Sequence, residues 1–311
     1  MNKFPILLKR EFWEHRSTFV VLPGVVAGFL ILVMVGLFVT AGSASVNAHI
    51  SISGEDQSEE WRIDADHGSM DEAIGFLLSR LQEMSEAERE HNLFRVFHGL
   101  SVPFFIIMVL VILFYLLGSL YEDRKDRSIL FWKSMPVSDF ATVSVKLFTA
   151  LVAVPAVYLV SAAIVQVALL LIASIAALGH DIEIYKMLWV PSNLAGRWFT
   201  NIAYLLLQGI WSLPMYGWLM LVSAFARSVP LAWFLGIPIA VSIVEGMVLK
   251  SSTIGQWMAH HSSPTPYTFN REFQIADVLP YLMSVDTYIG VLVGVVFLGG
   301  AIWVRGRADE L

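Results

Sequence analysis

Six long apolar runs constrain this chain more than any other feature of its sequence. A helix that crosses a bilayer needs about 20 consecutive, mainly apolar residues. Runs of this kind, bounded by charges or turn residues, lie at residues 18–41, 98–120, 146–177, 198–226, 229–250 and 286–304. We therefore predict an all-α integral membrane fold with six transmembrane helices, forming a single transmembrane domain over residues 1–311.

The composition excludes most other classes of protein. Hydrophobic residues make up 57% of the chain, charged residues make up 15%, and the mean hydropathy is +0.67. These values exclude a soluble enzyme and a disordered chain. The net charge of −6 argues against a nucleic-acid partner. Because cysteine is absent, the chain has no disulfides, thiolate metal ligands or cysteine nucleophiles.

The basic residues predict the orientation of the spans. Lysine and arginine near the ends of a span resist translocation. With the N-terminus inside, 12 of the 20 basic residues fall in cytoplasmic segments. We expect both termini to be cytoplasmic, in a multi-pass protein of the inner (cytoplasmic) cell membrane.

Residues 3–16 predict an amphipathic helix ahead of the first run. Phe4, Leu8 and Phe12 recur at every fourth position, and Arg10 lies largely on the opposite side. Such a helix can lie flat at the headgroup boundary, in contact with membrane lipid. It could receive force from a cytoplasmic partner, or it could be a simple basic anchor.

Residues 42–97 form a predicted extracytoplasmic insert. Residues 45–96 carry 12 acidic and 4 basic side chains. The sequence Ser-Met-Asp-Glu at 69–72 matches a capping box and predicts a helix from about residue 70 to residue 90. A short alternation of apolar residues at 50–52 and 61–63 suggests a small hairpin. The insert could cap a substrate path, or it could be an acidic, solvated segment packed on the bundle.

Polar side chains inside the runs are candidate functional groups, because they are costly in hydrocarbon. Glu245 is the clearest, and it could be an ion or substrate site, or a structural residue near the end of its span. Gln166 and Gln208 could form hydrogen bonds between helices.

Two further features concern the shape of the spans. Pro155, Pro214 and Pro238 each remove a backbone hydrogen bond and favour a kink. The 250–285 segment mixes turn residues with apolar stretches too short to cross a membrane. It predicts re-entrant or surface helices.

No catalytic chemistry is recognisable. The chain has no phosphate-binding G-x-x-x-x-G-K-[ST] loop, no H-E-x-x-H and no G-x-S-x-G. We therefore predict a non-enzymatic protein with no catalytic residue, cofactor or metal of its own.

The connection between the second and third runs, residues 121–145, is named the coupling segment here. Ile129, Leu130 and Trp132 favour a compact helix with an apolar side. Pro136 ends that helix, and Ser138 can cap the next one. A rigid lever between two spans is the expected result.

The coupling segment resembles that of the integral-membrane subunit of ABC-2 type transporters, a type V exporter-like fold. The resemblance is carried by the charged cluster at 122–126, the short amphipathic helix, the Pro-Val-Ser turn at 136–138 and Lys146 at the start of the third span. Six spans with both ends inside and an amphipathic N-terminal helix are also similar to that family. Arg127 departs from it, since a glycine is common at that position.

The resemblance implies a permease subunit that works with separate partners. These are two copies of an ATP-binding-cassette ATPase, which bind ATP and Mg, and a second permease copy or a related permease subunit. The family consists mostly of exporters, so export is the expected direction. The residues that the resemblance places at the ATPase contact are Arg124, Lys125, Asp126, Arg127, Ile129, Leu130, Phe131, Trp132 and Lys133.

Two other classes of function stay open. A membrane sensor or assembly factor would use the acidic 42–97 insert to bind a protein. An ion-coupled carrier would use Glu245 as its proton or ion site, with two-half symmetry in its sequence.

Overall fold

The computed structural model describes residues 4–41, 49–53, 58–62, 70–126, 137–180, 182–262, 276 and 278–307. Within this part the chain is helical apart from one hairpin. The helices are α1 (Phe4–Glu14), α2 (Leu22–Ala41), α3 (Met70–Glu83), α4 (Glu86–Lys125), α5 (Asp139–Phe148), α6 (Val154–Ala176), α7 (Val190–Ser192), α8 (Leu194–Trp211), α9 (Leu213–Phe225), α10 (Pro230–Val244), α11 (Thr253–Ser262), α12 (Val278–Leu282) and α13 (Val285–Arg307).

Five helical stretches among the described residues are long and apolar enough to cross a membrane. They are Ser17–Val39, Glu86–Lys125, Asp139–Ala176, Pro230–Leu249 and Val285–Arg307. A sixth crossing is possible if the bent pair Tyr185–Trp211 and Leu213–Phe225 forms one span. The chain is therefore a helical multi-pass membrane protein, as its apolar runs predict.

Prolines lie in three of the long helical stretches, and the one at residue 214 lies at a bend. Pro214 lies in the first turn of α9, where the chain bends by 56° after α8, so the predicted kink is a full break. Pro155 is the second residue of α6, which begins directly after a π-helical turn, Thr149–Ala153. Pro238 has no N–H to offer the carbonyl of Phe234, four residues earlier. The indole N–H of Trp218 donates to that carbonyl at 3.3 Å instead.

The 42–97 insert contains the predicted hairpin. Strands β1 (His49–Ser53) and β2 (Ser58–Arg62) pair in antiparallel fashion, with Ile50 opposite Trp61. The capping residue expected at 69 lies outside the described residues.

The helix that follows is shorter than predicted. Helix α3 ends at Glu83, because a second capping box starts α4 directly afterwards. The backbone N–H of Ser85 donates to the Glu88 carboxylate at 2.8 Å, and the N–H of Glu88 donates to the Ser85 hydroxyl at 3.3 Å.

The chain divides into two compact units, residues 1–23, 105–159 and 196–311, and residues 24–104 and 160–195. In the second unit, the side-chain amide of Gln166 donates to the Ser101 hydroxyl at 3.0 Å and to the Phe97 carbonyl at 3.4 Å. This confirms the predicted hydrogen bond between helices for Gln166.

In the first unit, α9 and α13 pack with their backbones close together. A Cβ atom on Gly217 would lie 2.7 Å from the carbonyl oxygen of Gly294. A Cβ atom on Gly294 would lie 2.8 Å from the side chain of Leu213. Only glycine fits at these contacts. The short helices α11 and α12 confirm that the 250–285 segment contains helices too short to cross a membrane.

Candidate functional site

Four buried charged side chains from four helices meet in the first unit. Glu11 comes from α1, Asp123 from the end of α4, Lys146 from α5 and Arg305 from the end of α13. Each is 7% exposed or less. Charged residues are rarely buried unless they are paired, so their partners matter.

The charges alternate in sign along a chain of contacts. The Lys146 ammonium lies 3.2 Å from the Glu11 carboxylate and 3.8 Å from the Asp123 carboxylate. The Arg305 guanidinium donates to Asp123 at 2.9 Å and to Asp139, at the start of α5, at 3.1 Å. We name these five residues the ionic network. Each cation lies between two carboxylates, which offsets part of the cost of its burial.

Glu11 has further donors. The Tyr115 hydroxyl donates to its carboxylate at 3.0 Å, and Arg10 approaches it at 3.2 Å. Burial raises the pKa of Glu11, but Lys146, Arg10 and the hydrogen bonds from Lys146 and Tyr115 outweigh it and hold this pKa below its ordinary value. The rings of Phe19 and Tyr115 pack edge to face at 5.2 Å beside it. Glu11 is thus a charged anchor for α1.

A second set of contacts ties α9 to the end of α4. The Ser223 hydroxyl accepts hydrogen bonds from the backbone N–H groups of Leu120 and Tyr121, at 2.9 and 3.0 Å. The Arg124 guanidinium donates to the carbonyls of Ser223 and Ala226, at 3.0 and 2.6 Å. Arg124 therefore satisfies carbonyls at the C-terminal end of α9.

The structure describes only some of the residues predicted to contact the ATPase. Of the three that are described, Arg124 is buried, and this position does not suit the ATPase contact that the resemblance implies for it. Lys125 and Asp126 are exposed. The others, from Arg127 to Lys133, lie outside the described residues. Beyond them, the predicted cap of α5 is confirmed, because the Ser138 hydroxyl accepts from the backbone N–H of Ala141 at 3.2 Å.

The predicted N-terminal amphipathic helix is confirmed as α1, but its buried face differs from the expected one. Phe4, Leu8 and Phe12 are half-buried, whereas Leu7 and Glu11 are buried. Arg10 is half-buried as well and contacts Glu11. The apolar stripe read from the sequence thus lies beside the docking face, whose centre is a glutamate.

Glu245 is buried and has a structural role at a tight reversal of the chain. Its carboxylate accepts from the Ser251 hydroxyl at 2.8 Å and from the backbone N–H groups of Ile254 and Gly255 at 3.0 and 3.2 Å. It therefore caps the N-terminus of α11. A Cβ atom on Gly255 would lie 2.8 Å from the Ser242 hydroxyl, so α10 and α11 approach closely here.

Gln208 makes hydrogen bonds within its own stretch of chain. Its amide donates to the Ser212 hydroxyl at 2.8 Å, and its carbonyl accepts from the Tyr204 hydroxyl at 3.4 Å. Both partners are four residues away. Ser212 lies at the break between α8 and α9, so the hydrogen bond from Gln208 connects α8 to that break.

The sequence reasoning missed most of the ionic network as a site. Glu11 lies outside the apolar stripe of Phe4, Leu8 and Phe12, and Asp123 and Arg305 have the pattern of ordinary charged flanks of spans. One signal was present: Glu11 lies four residues after Leu7, on the same face of α1.

Comparisons with known proteins identify no relative: no family model, curated protein or solved structure matches the chain. No group of three metal-ligating side chains occurs among the described residues. The fold and the site define a helical multi-pass membrane protein in which buried ion pairs join the ends of four helices.

Proposed function

We propose that this chain is the membrane-spanning permease subunit of an ABC exporter. It would pair with a second permease copy or a related subunit, and with two separate cassette ATPases that bind ATP and Mg. One observation carries this proposal: both ends of the coupling segment contribute residues to the same ionic network. Asp123 lies near the start of the segment, Asp139 lies near its end, and Lys146 directly follows it.

The ionic network suits the transmission of force. A push on the coupling segment acts on the end of α4 and the start of α5 together, because Asp123 and Asp139 both bind Arg305 of α13. Sliding one of these helices alone separates a buried charge from its partner, which costs about 3–5 kcal/mol. The helix ends would therefore move as one body, as a bistable transporter requires.

The same argument gives α1 a role. Lys146 joins α5 to Glu11, so α1 is part of the joint that the coupling segment moves. Of the two interpretations of the N-terminal helix, this contact favours the force-receiving one over the simple anchor.

No specific observation favours the carrier or the sensor. The Glu245 carboxylate is taken up in capping α11, which suits a structural residue better than an ion site. The hairpin in the acidic insert does not point to a bound protein.

The test is to purify the tagged chain in mild detergent after crosslinking in the membrane, and to identify co-purifying proteins by mass spectrometry with an ATPase assay. A Phe131→Ala/Trp132→Ala variant removes the aromatic residues proposed to seat in the ATPase. Tyr288→Ala is the matched control, since it removes an exposed aromatic side chain in the first turn of α13, at the end of the helix far from Arg305 and the ionic network.

We expect a cassette ATPase with the unaltered chain and with Tyr288→Ala, and its loss from the double variant. Absence of any ATPase from the crosslinked, unaltered sample would overturn the proposed function. Retention of the ATPase by the double variant would overturn the contact assigned to Phe131 and Trp132.

A further inference from the structure

His261, at the end of α11, is the most enclosed histidine of the first unit whose surroundings the structure describes. It is 1% exposed. Its ring stacks on the indole of Trp211, with centroids 4.3 Å apart and planes 12° apart, and packs against Trp257 at 4.3 Å. Trp211 immediately precedes the break between α8 and α9. The imidazole thus lies between two indoles, where α11 meets the broken span.

The two ring nitrogens of His261 have different environments. Nδ1 lies 3.1 Å from the carbonyl oxygen of Trp257. A carbonyl only accepts, so Nδ1 carries the proton. Nε2 is buried and has no hydrogen-bond partner among the described residues. It faces Gly290 of α13, where even an added Cβ atom would lie only 2.9 Å away.

This geometry describes a neutral imidazole. A proton on Nε2 would create an N–H group that points at Gly290, with no acceptor in the described surroundings. Burying a charge without a hydrogen-bond partner is strongly unfavourable. The faces of Trp211 and Trp257 attract a cation, but a cation–π contact is a weaker effect than the loss of hydration of a fully buried charge.

The other titratable groups near His261 are engaged elsewhere. On α13, Asp286 accepts from the indole N–H of Trp257 at 3.1 Å and lies 3.6 Å from Nδ1 of His260 on α11. On α12, Tyr281 packs against Trp211 at 4.9 Å. Helix α8 presents Trp211 and α9 presents Pro214, which carry no charge. Asp286 therefore lies in the second layer around the ring, behind Trp257 and His260.

We propose that His261 is a proton-binding site whose neutral form holds α11 against α13. The neutral imidazole fits between Trp211, Trp257 and Gly290 and keeps α11 docked. Protonation of Nε2 makes the docked position unfavourable, so the imidazolium leaves for water and the C-terminal end of α11 is released. This inference concerns α11 alone and does not depend on an ATPase partner.

Release of α11 has a consequence for a neighbouring groove. Met258, Ala259 and Ser262 of α11 form one wall of an apolar groove of about 440 Å³, and α9 and α10 form the rest. Trp218 and Pro238 lie on those other walls. Moving the end of α11 would therefore widen the groove, and mild acid would control access to it.

The experiment is hydrogen–deuterium exchange of the purified full-length chain in lipid nanodiscs at pH 7.5 and pH 5.0. Rates are corrected for the intrinsic pH dependence of exchange with an unfolded peptide of the same sequence. In the unaltered chain, amides at residues 257–262 should exchange at least tenfold faster at pH 5.0 after correction. Amides in the middle of α13 should not change.

Two variants test His261 itself. His261→Phe keeps a ring between the indoles without a titratable nitrogen, and His261→Asn keeps a donor near the Nδ1 position. Both should abolish the acceleration at pH 5.0, whatever their rate at pH 7.5. His260→Asn, at the half-exposed neighbouring histidine, should retain it.

Three outcomes would overturn the proposal. The unaltered chain could show no acceleration, which would mean that the two indoles hold the imidazolium in place. The acceleration could persist in both His261 variants. It could also disappear in His260→Asn, which would assign the proton to the pair formed by His260 and Asp286.

Discussion

Replacing Glu11 by glutamine removes one charge from the ionic network and keeps the size of the side chain. Lys146 then loses its partner at 3.2 Å and keeps Asp123 at 3.8 Å. Removing one member of a buried ion pair costs about 3–5 kcal/mol, because the other charge stays buried. Asp123 offsets part of this cost, so we expect α1 docking to weaken by about 2–3 kcal/mol, or about 30- to 140-fold in its equilibrium constant.

The absence of cysteine allows docking to be measured with one introduced thiol. Leu7→Cys places the thiol on the buried face of α1, and Ile6→Cys places it at the adjacent position, which is 61% exposed. The ratio of their reaction rates with a soluble maleimide reports the fraction of undocked α1. Glu11→Gln should raise the rate at position 7 about 30- to 140-fold, with the rate at position 6 as the upper limit.

The matched control is Glu14→Gln, on the same helix. Its side chain is 53% exposed and contacts Arg10 at 3.2 Å across one helical turn. An exposed pair at this spacing contributes about 0.3–0.5 kcal/mol, so the rate at position 7 should rise about twofold. Equal effects of Glu11→Gln and Glu14→Gln would refute the reasoning, since burial would then make no difference.

Other contacts predict effects on stability. Glu245→Gln replaces the carboxylate that caps α11 with an amide, which accepts more weakly from the backbone N–H groups of Ile254 and Gly255, so the amides at the start of α11 should exchange faster with deuterium. Gly294→Ala brings a Cβ to 2.8 Å from Leu213 and should cost about 1–3 kcal/mol by thermal unfolding. Gly299→Ala on the same helix meets nothing within 4 Å and should not destabilise. Because the docked pKa of Glu11 lies below the ordinary value of 4.5, its contribution is full above that pH. The stabilisation from Glu11 is lost as the pH falls through the pKa that Glu11 has in docked α1. Hydrogen exchange of the α1 amides, corrected for its intrinsic pH dependence, should therefore accelerate in that pH range.

The membrane-spanning helices were predictable because burial in lipid demands long apolar runs. The breaks within the helical stretches were less predictable. Pro214 predicted a kink in the fourth run, but it predicts neither the 56° size of the bend nor the close approach of α9 to α13 at Gly294. Ser85 and Glu88 have the spacing of a capping box, so the sequence does contain a signal for the end of α3. The hydrophobic pattern does not contain this signal, because it continues through the capping box.

The ionic network was not predictable from one sequence, for a physical reason. Its pairs join residues far apart in the chain: Lys146 and Glu11 are separated by 135 positions. Each charge lies near the end of an apolar run, where a lysine, arginine or carboxylate ordinarily faces water. Whether such a residue is buried depends on which helix ends pack together, and a pattern of hydrophobicity does not contain that information.

The alternation of charges makes a prediction that an isolated ion pair would not. Exchanging the charges, with Glu11→Lys and Lys146→Glu, would preserve a simple pair. In the ionic network, the exchange places the new lysine at position 11 beside Arg10 and the new glutamate at position 146 beside Asp123. Like charges about 4 Å apart repel by about 4 kcal/mol at the effective dielectric of a protein surface, so the exchanged chain should leave α1 undocked. Measured with the thiol at position 7, its reaction rate should approach that at position 6. Protection within threefold of the unexchanged chain would mean that Glu11 and Lys146 act as an isolated pair, and that Lys146 does not carry the connection from α1 on to Asp123 and Arg305.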